Sequence, residues 1–320
     1  HPVSKVNINK TNGNNNNRDA RIIPIIINNS IILYYYYQVD KINIIIYIIF
    51  IFATLVVLFS LVSAGLVMRV LLVGDVHGCY WTLQKLLLKM EYDGLKDRLI
   101  LLGDLVGKGA HEDKVLEWVS DSNIECVLGN HDVYWMKDFF LGKHGGASAG
   151  KWYEYLSKQS FLKLINDCWV VHASLEPSWS RVEALVWAQK LERLLQERPD
   201  QFFDLLSSPN KLKWSDDLSD FERHQLALQI FVRARYYTKD GQIELSETEH
   251  PETCPHLIPW YELPRKESYF IYFGHWARLR GATGDNWRNL DGGAVYGGSL
   301  LGYDLTNQSA YHCQQEQKDE

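Results

Sequence analysis

Three short apolar runs in the first half of the folded region each end on glycine followed by a polar side chain, and this repetition constrains the fold more than any other feature. "MRVLLVGD" ends on Gly74-Asp75, "LILLGD" on Gly103-Asp104 and "NIECVLGN" on Gly129-Asn130. Helical spacing follows each run, in "YWTLQKLLLKM", "EDKVLEWVS" and "VYWMKDFF". Strand, helix, strand, helix, strand, helix predicts right-handed crossovers and neighbouring parallel strands. In open α/β sheets the ligand crevice lies beyond the carboxyl ends of the strands, so Asp75, Asp104 and Asn130 are expected to converge there.

Two later runs repeat the theme. "DCWVVHA" reads as a strand ending on His172 and "YFIYFGHWA" as one ending on His275. Between them, residues from about 178 to 240 have helical spacing and are expected to form a cap inserted into the domain. "HPETCPHLIPWYELPRKE", with its prolines, predicts an extended surface loop. "LDGGAVYGGSLLGYDL" and "SAYHCQ" predict closing strands with tight turns. The catalytic domain is expected over 68–313, and 314–320 as a solvated tail.

The first 67 residues differ in kind, with low-complexity runs such as "NGNNNN" and "ILYYYY". Residues 44–62 carry no charge and are long enough to cross a bilayer. Two readings stand: a membrane anchor or uncleaved signal, helped by Ser63-Ala64-Gly65, and an extension translated from AT-rich upstream sequence, with Met68 as the true start. A buried core helix fits less well. The expected location is the cytoplasm, or the membrane if 44–62 is an anchor.

Composition narrows the function classes. A net charge of -6 and a pI near 6.0 argue against a protein that holds nucleic acid by nonspecific phosphate attraction. Five cysteines without a C-x-x-C pair indicate neither a disulfide framework nor a zinc knuckle. Gly145 to Lys151, "GGASAGK", has half of a phosphate-binding loop, but Trp152 stands where Ser or Thr is needed and a helical pattern precedes it. A flexible loop is expected there.

Asp75, His77, Asp104, Asn130, His172 and His275 together offer two carboxylates, one amide and three imidazoles at strand ends. Singly, each is an ordinary turn, capping or core residue. Jointly they form a mixed oxygen and nitrogen donor set without thiolate, suited to manganese, iron, cobalt or zinc in an open site. A pair of metals sharing one carboxylate would use six such side chains economically.

In order and over this span, "GDVHG", "GDLVGKG", "GNHD", "VVHAS" and "FGHWA" resemble the calcineurin-like metallophosphoesterases, and within them the bacterial branch of symmetrical bis(5'-nucleosyl)-tetraphosphatases. The resemblance covers Met68 to about Cys313. It implies an α/β fold with a β-sandwich core flanked by helices, and a hydrolase that splits diadenosine tetraphosphate into two ADP with two divalent ions, manganese or cobalt before iron or zinc. Asp75 and His77 would bind the first ion, Asp104 would bridge, and Asn130, His172 and His275 would bind the second. His131 would be the general acid, beside a catalytic Asp132, which favours the dinucleotide branch. The related protein phosphatases usually carry Glu there and an extra Asp where this chain has Gly107.

Arg233 and Arg235 in "FVRARY", with Lys108, are the expected phosphate-binding residues, since arginines two apart can point to one side of an extended segment. Arg278 and Arg280 are weaker candidates, and Trp276, Tyr236 and Tyr296 are candidates to stack on adenine or to pack in the core. Expected partners are a dinucleoside polyphosphate and, by the same bond chemistry, capped RNA ends, with no stable nucleic-acid complex. Lys108 replaces the usual Arg and loses its fork geometry. Ser174 replaces the usual Gly, which predicts strain or a narrowed cleft. Alternatives are a serine/threonine phosphatase of the same superfamily and a membrane-tethered binding protein with a degenerate site.

Overall fold

In the computed structural model, which describes residues 21–27, 30–36 and 68–319, the chain divides into two compact units, 1–66 and 67–320. In the first, strands β1 (Arg21–Ile27) and β2 (Ser30–Tyr36) pair antiparallel, with Pro24 opposite Leu33. The composition of that segment had indicated no such pairing. Residues 44–62 lie outside the described residues. No helix among the described residues is long and apolar enough to cross a membrane.

In the second unit the repeated apolar runs become β3 (Arg69–Val73), β4 (Asp97–Leu101) and the two-residue β5 (Glu125–Cys126), all parallel, with Leu71 opposite Leu99 and Leu101 opposite Cys126. Helices α1 (Tyr80–Lys89), α2 (Glu112–Asp121) and α3 (Asn130–Phe140) follow them in turn. Strands β14 (Ser299–Asp304) and β15 (Ser309–Gln314) complete this sheet in the order β15-β14-β3-β4-β5, with β14 antiparallel to β3. After α4 (Ala149–Ser157), strands β6 (Leu162–Ile165), β7 (Cys168–Val171), β11 (Phe270–Phe273), β12 (Thr283–Gly284) and β13 (Trp287–Asn289) build a second sheet, ordered β12-β13-β11-β7-β6.

Period-two alternation explains why two sheets form. Val70, Leu72, Ile100 and Leu102 point one way and pack with Val170 and Tyr272 of the second sheet. Leu71, Val73, Leu99 and Leu101 point the other way into the larger core that holds the helices. Each fully buried side chain of this kind contributes roughly 1.5–3 kcal/mol. The result is a β-sandwich with helices outside it.

The cap consists of α5 (Arg181–Glu197), α6 (Pro199–Asp204) and α7 (Asp220–Val232). Ser180 with Glu183, and Ser219 with Glu222, form reciprocal capping boxes that start α5 and α7. All eight residues from Gln225 to Val232 are buried, so the end of α7 runs through the interior and not over the surface. Its last turn delivers the chain to the short strand β8 (Tyr236–Tyr237), which pairs with β9 (Ile243–Glu244) and β10 (Ile258–Pro259).

Three expectations need correction here. The proline-rich segment is not a loose loop: it carries 3-10 turns at Pro251–Thr253 and Trp260–Glu262, strand β10 between them, and a Trp260 side chain that is fully buried. The glycine-rich stretch ending at Lys151 runs into the first turn of α4, where Lys151 pairs with Asp121 and Glu117 on the outside of the molecule. The tail is exposed at Gln314, Gln317 and Lys318 but is not solvated throughout. Asp319 is buried, and its carboxylate accepts from Trp81 N at 3.0 Å, Thr82 N at 2.7 Å and the Thr82 hydroxyl at 2.6 Å.

That contact supplies α1 with the cap its own sequence lacks, since the side chain of Cys79 at the N-cap makes no capping bond. Asp319→Ala is therefore expected to destabilise the domain by roughly 1–2 kcal/mol, read as a lower urea midpoint at unchanged slope. An unchanged midpoint would show that water caps α1 equally well.

Candidate metal centre

The candidate residues sit on loops that close the carboxyl ends of both sheets. Asp75 and His77 follow β3, Asp104 follows β4, Asn130 opens α3, His172 follows β7 and His275 follows β11. His77, Asp104 and His275 have φ of 46°, 47° and 62°, a left-handed backbone that ordinary residues avoid at a cost of roughly 1–2 kcal/mol each. Such conformations persist where surrounding contacts hold them. Here the first two loops are stitched by His77 N donating to Asp104 O at 2.7 Å and Gly78 N to Leu105 O at 2.8 Å.

The three imidazoles are oriented by backbone carbonyls. His77 Nδ1 lies 2.8 Å from Val106 O, His172 Nδ1 2.7 Å from Leu102 O, and His275 Nε2 3.0 Å from Arg233 O. A carbonyl accepts only, so each of those nitrogens carries the proton, and in the neutral ring the other nitrogen is left as a lone pair. Those lone pairs face inward. His77 Nε2 is 3.5 Å from Asp104 Oδ2, His172 Nε2 is 3.5 Å from Asp104 Oδ1, and His172 Nε2 stands only 3.2 Å from His275 Nδ1.

In the neutral rings two acceptors at that distance repel, and either a proton on His172 Nε2, which the charge of Asp104 favours, or a metal cation between them removes the repulsion. Asn130 repeats the point: one end of its amide lies 3.0 Å from His275 Nδ1 and 3.2 Å from Val232 O, so an oxygen there needs a cation and a nitrogen there would donate. Asp75, Asp104, Asp132 and Asp291 are all buried around this point. The donor set fits divalent cations, because backbone-oriented imidazoles and buried carboxylates are what such ions require.

Geometry divides the set around Asp104. His77, Asp104 and His131 bring one ligand atom each within 4.8 Å of one another, and so do Asp104, His172 and His275. Asp75 joins neither group and accepts from His275 N at 2.9 and 3.1 Å. Burial takes the His77 pKa down to about 4 and His275 well below its ordinary value, while for His172 the charge of Asp104 outweighs burial and pushes it up to about 10. Burial also raises Asp75, helped by the charge of Asp291; Asp104 is held low against burial by His172 and His77.

His131 is half-buried on the cavity wall, its amide donates to Asp104 Oδ1 at 2.9 Å, and its ring stands edge-on to His77 at 4.9 Å. Neither ring nitrogen has a hydrogen-bond partner among the described residues. The ring lies over Gly107, where a Cβ would meet His131 Nδ1 at 2.1 Å. Asp132 differs from the expectation of a direct catalytic part. It is fully buried, away from the cavity wall, with Oδ1 accepting from Leu105 N at 2.8 Å and Oδ2 from Gly129 N at 2.9 Å. Burial pushes its pKa up to about 7, and its place is to hold the Asp104 and His131 loops together.

Beside these residues lies a cavity of about 950 Å³. Lys108 and Arg235 are on its wall, and Lys108 donates to the Tyr296 hydroxyl. Arg235 Nη2 donates to His275 O at 2.9 Å, and its buried Nε has no partner. Arg233 is not on the wall. It ends α7, its guanidinium turns back to Gln229 Oε1 at 3.2 Å, and its carbonyl orients His275, so the two arginines do not point to one side. Arg278 and Arg280 reach the wall, with Arg278 paired to Glu249.

Tyr236 and Trp276 are buried against each other at 4.7 Å between ring centres, which leaves neither face open to a base; Tyr296 is 64% exposed. Ser174 shows no left-handed strain. Its buried hydroxyl donates to Ile230 O at 2.7 Å and so ties the His172 loop to α7. Asp291, also on the wall, escaped the sequence reading because "LDGG" lacks the Gly-polar strand end that marked the other loops.

The chain matches the family model of calcineurin-like phosphoesterases over residues 68–279. A relative from Pectobacterium atrosepticum, named as a symmetrical bis(5'-nucleosyl)-tetraphosphatase, is 34% identical over 253 residues, which is 73% of this chain and 90% of the relative. One of the same name from Hamiltonella defensa is 32% identical over 270 residues, covering 77% of this chain and 98% of the relative. Among solved structures, one provisionally described as a diadenosine tetraphosphatase aligns with a TM-score of 0.55 at 22% identity, covering 79% of this chain and 96% of the other, a likeness of fold. With matched residues that include strands of both sheets and the loops carrying the candidate ligands, the chain belongs to the calcineurin-like phosphoesterase family.

Proposed function

We propose that this chain hydrolyses diadenosine tetraphosphate symmetrically to two ADP, using a pair of divalent cations held by Asp75, His77, Asp104, Asn130, His172 and His275. The observation that carries the metal-dependent part is the inward convergence of three backbone-oriented imidazoles on Asp104. The substrate follows from the relatives named as symmetrical tetraphosphatases, at 32–34% identity. Manganese or cobalt suits these oxygen and nitrogen donors.

When bound, such cations acidify water and neutralise phosphoryl oxygens in in-line displacement. The chain's own residues do the rest. Asp104, shared by both histidine groups, holds the two halves of the site at a fixed spacing. His131, with both ring nitrogens unengaged, gives a proton to the departing phosphate oxygen; burial lowers its pKa, so its protonated form is the stronger acid but the less populated one. Arg235 contributes positive charge at the cavity wall for the polyphosphate, and Lys108 adds a second at the Tyr296 side of the cavity. The exposed Tyr296 face is the surface on which a base can stack.

A phosphatase of the protein-directed branch is disfavoured by Gly107, because the His131 ring fills the space that the extra Asp of that branch would need. The test is the product mixture. With manganese or cobalt, the full chain should release ADP as the sole nucleotide product from diadenosine tetraphosphate. AMP together with ATP would overturn the symmetrical assignment.

A further inference from the structure

Asp291 shares the cavity wall with Asp104, Asn130, His131 and His275. Its placement beside Asp75 follows from the backbone. Gly74 packs so closely on the strand opposite that a Cβ there would stand 1.8 Å from Leu290 O. The next residue of each segment is an aspartate, so the contact between Gly74 and Leu290 brings Asp75 and Asp291 to the same end of the sandwich.

Asn289 ties this frame together. It is fully buried, its Nδ2 donates to Gly274 O at 3.1 Å and its Oδ1 accepts from Asp291 N at 3.2 Å. Gly274 precedes His275, whose amide is held by both oxygens of Asp75. Asp75, His275 and Asp291 are thus set by one hydrogen-bonded network.

A turn residue would account for half of what Asp291 does. Its Oδ1 accepts from Gly293 N at 2.9 Å, as an Asx turn requires. Asn or Ser would serve that turn equally. The turn leaves Oδ2 unexplained: Asp291 is only 5% exposed, and Oδ2 meets no protein donor among the described residues. Oδ2 keeps the little solvent contact this residue has, and an ionised carboxylate so nearly buried is favoured where positive charge lies near it. Arg235 shares the wall but is not within ion-pair distance of it among the described residues; His77, Asp104, Asn130 and His275 share that wall too, and Asp75 is joined to it through His275, Gly274 and Asn289.

We propose that Asp291 is a positioning residue of the metal centre, an outer carboxylate that strengthens divalent-cation binding on the Asp75 side through its charge and through solvent. The inference rests on the two-cation reading above. Its link to the Asn130, His172 and His275 side is indirect, through Asn289 and the Gly274 carbonyl.

The full chain, stripped with a chelator, is titrated with manganese(II) by calorimetry, alongside Asp291→Asn and Asp291→Ser, both of which keep an acceptor for Gly293 N. The unsubstituted chain should bind two equivalents. Both variants should lose affinity for one equivalent by about 10–100-fold, the range for partners of metal ligands, and keep the other within about threefold. Unchanged affinities, or equal weakening of both equivalents, would overturn the proposal. Fewer than two equivalents in the unsubstituted chain would instead refute the two-cation reading. If neither variant folds, Asp291 is a turn residue and the proposal fails.

Discussion

Asp104→Asn is expected to abolish metal-dependent hydrolysis of diadenosine tetraphosphate, by on the order of 10³-fold or more in kcat, while leaving the domain folded. Asp104 is the one side chain common to both histidine groups. Its Oδ1 also accepts from His131 N at 2.9 Å, and its oxygens lie 3.5 Å from His77 Nε2 and from His172 Nε2. An Asn keeps the shape and one acceptor but removes the charge that both groups share. Metal analysis should therefore show loss of bound cation together with loss of turnover. Activity within a factor of about ten of the unsubstituted chain would remove Asp104 as the shared carboxylate.

His131→Asn should behave differently. General acid catalysis is worth about 10²–10⁴-fold, so kcat should fall by that much while metal content stays as in the unsubstituted chain. The contrast is informative because His131 lies close enough to His77 and Asp104 to be a ligand itself. Equal loss of metal and turnover would assign it that role. A substrate carrying a better leaving group needs less proton donation, so it should recover part of the loss in this variant if His131 is the acid.

The legible part of the architecture was the part with local periodicity. Val70 to Val73 and Leu99 to Leu102 are short unbroken apolar runs set between helically spaced segments, so buried strands and crossover helices could be read directly, although the division of their side chains between two cores could not. The Gly-polar endings marked which loops meet at the strand ends, since the turn after a strand needs such residues whatever the partner. The second sheet was less legible. Strands β12 and β13, of two and three residues, are too short to carry a periodic signal.

The remaining differences involve contacts between residues far apart in the chain. Asp319 caps a helix 237 residues earlier, and nothing in "QQEQKDE" distinguishes it from a solvated acid. Arg233 and Arg235 are separated by the end of α7, where the backbone leaves the helix with φ of -140° instead of continuing extended. Ser174 gains a hydrogen bond to Ile230 that only the buried cap helix makes possible.

The sequence by itself determined the strand and helix alternation, the family, and six candidate metal-binding side chains, because strand-end spacing and residue chemistry are local properties. Tertiary structure alone decided which nitrogen of His77, His172 and His275 faces the centre, because the carbonyls of Val106, Leu102 and Arg233 that hold the other nitrogen arrive from elsewhere in the chain. It also decided that Asp132 braces the loops from behind while Asp291 reaches the cavity. A carboxylate's role depends on which donors and charges the fold brings to it, and those are set by packing.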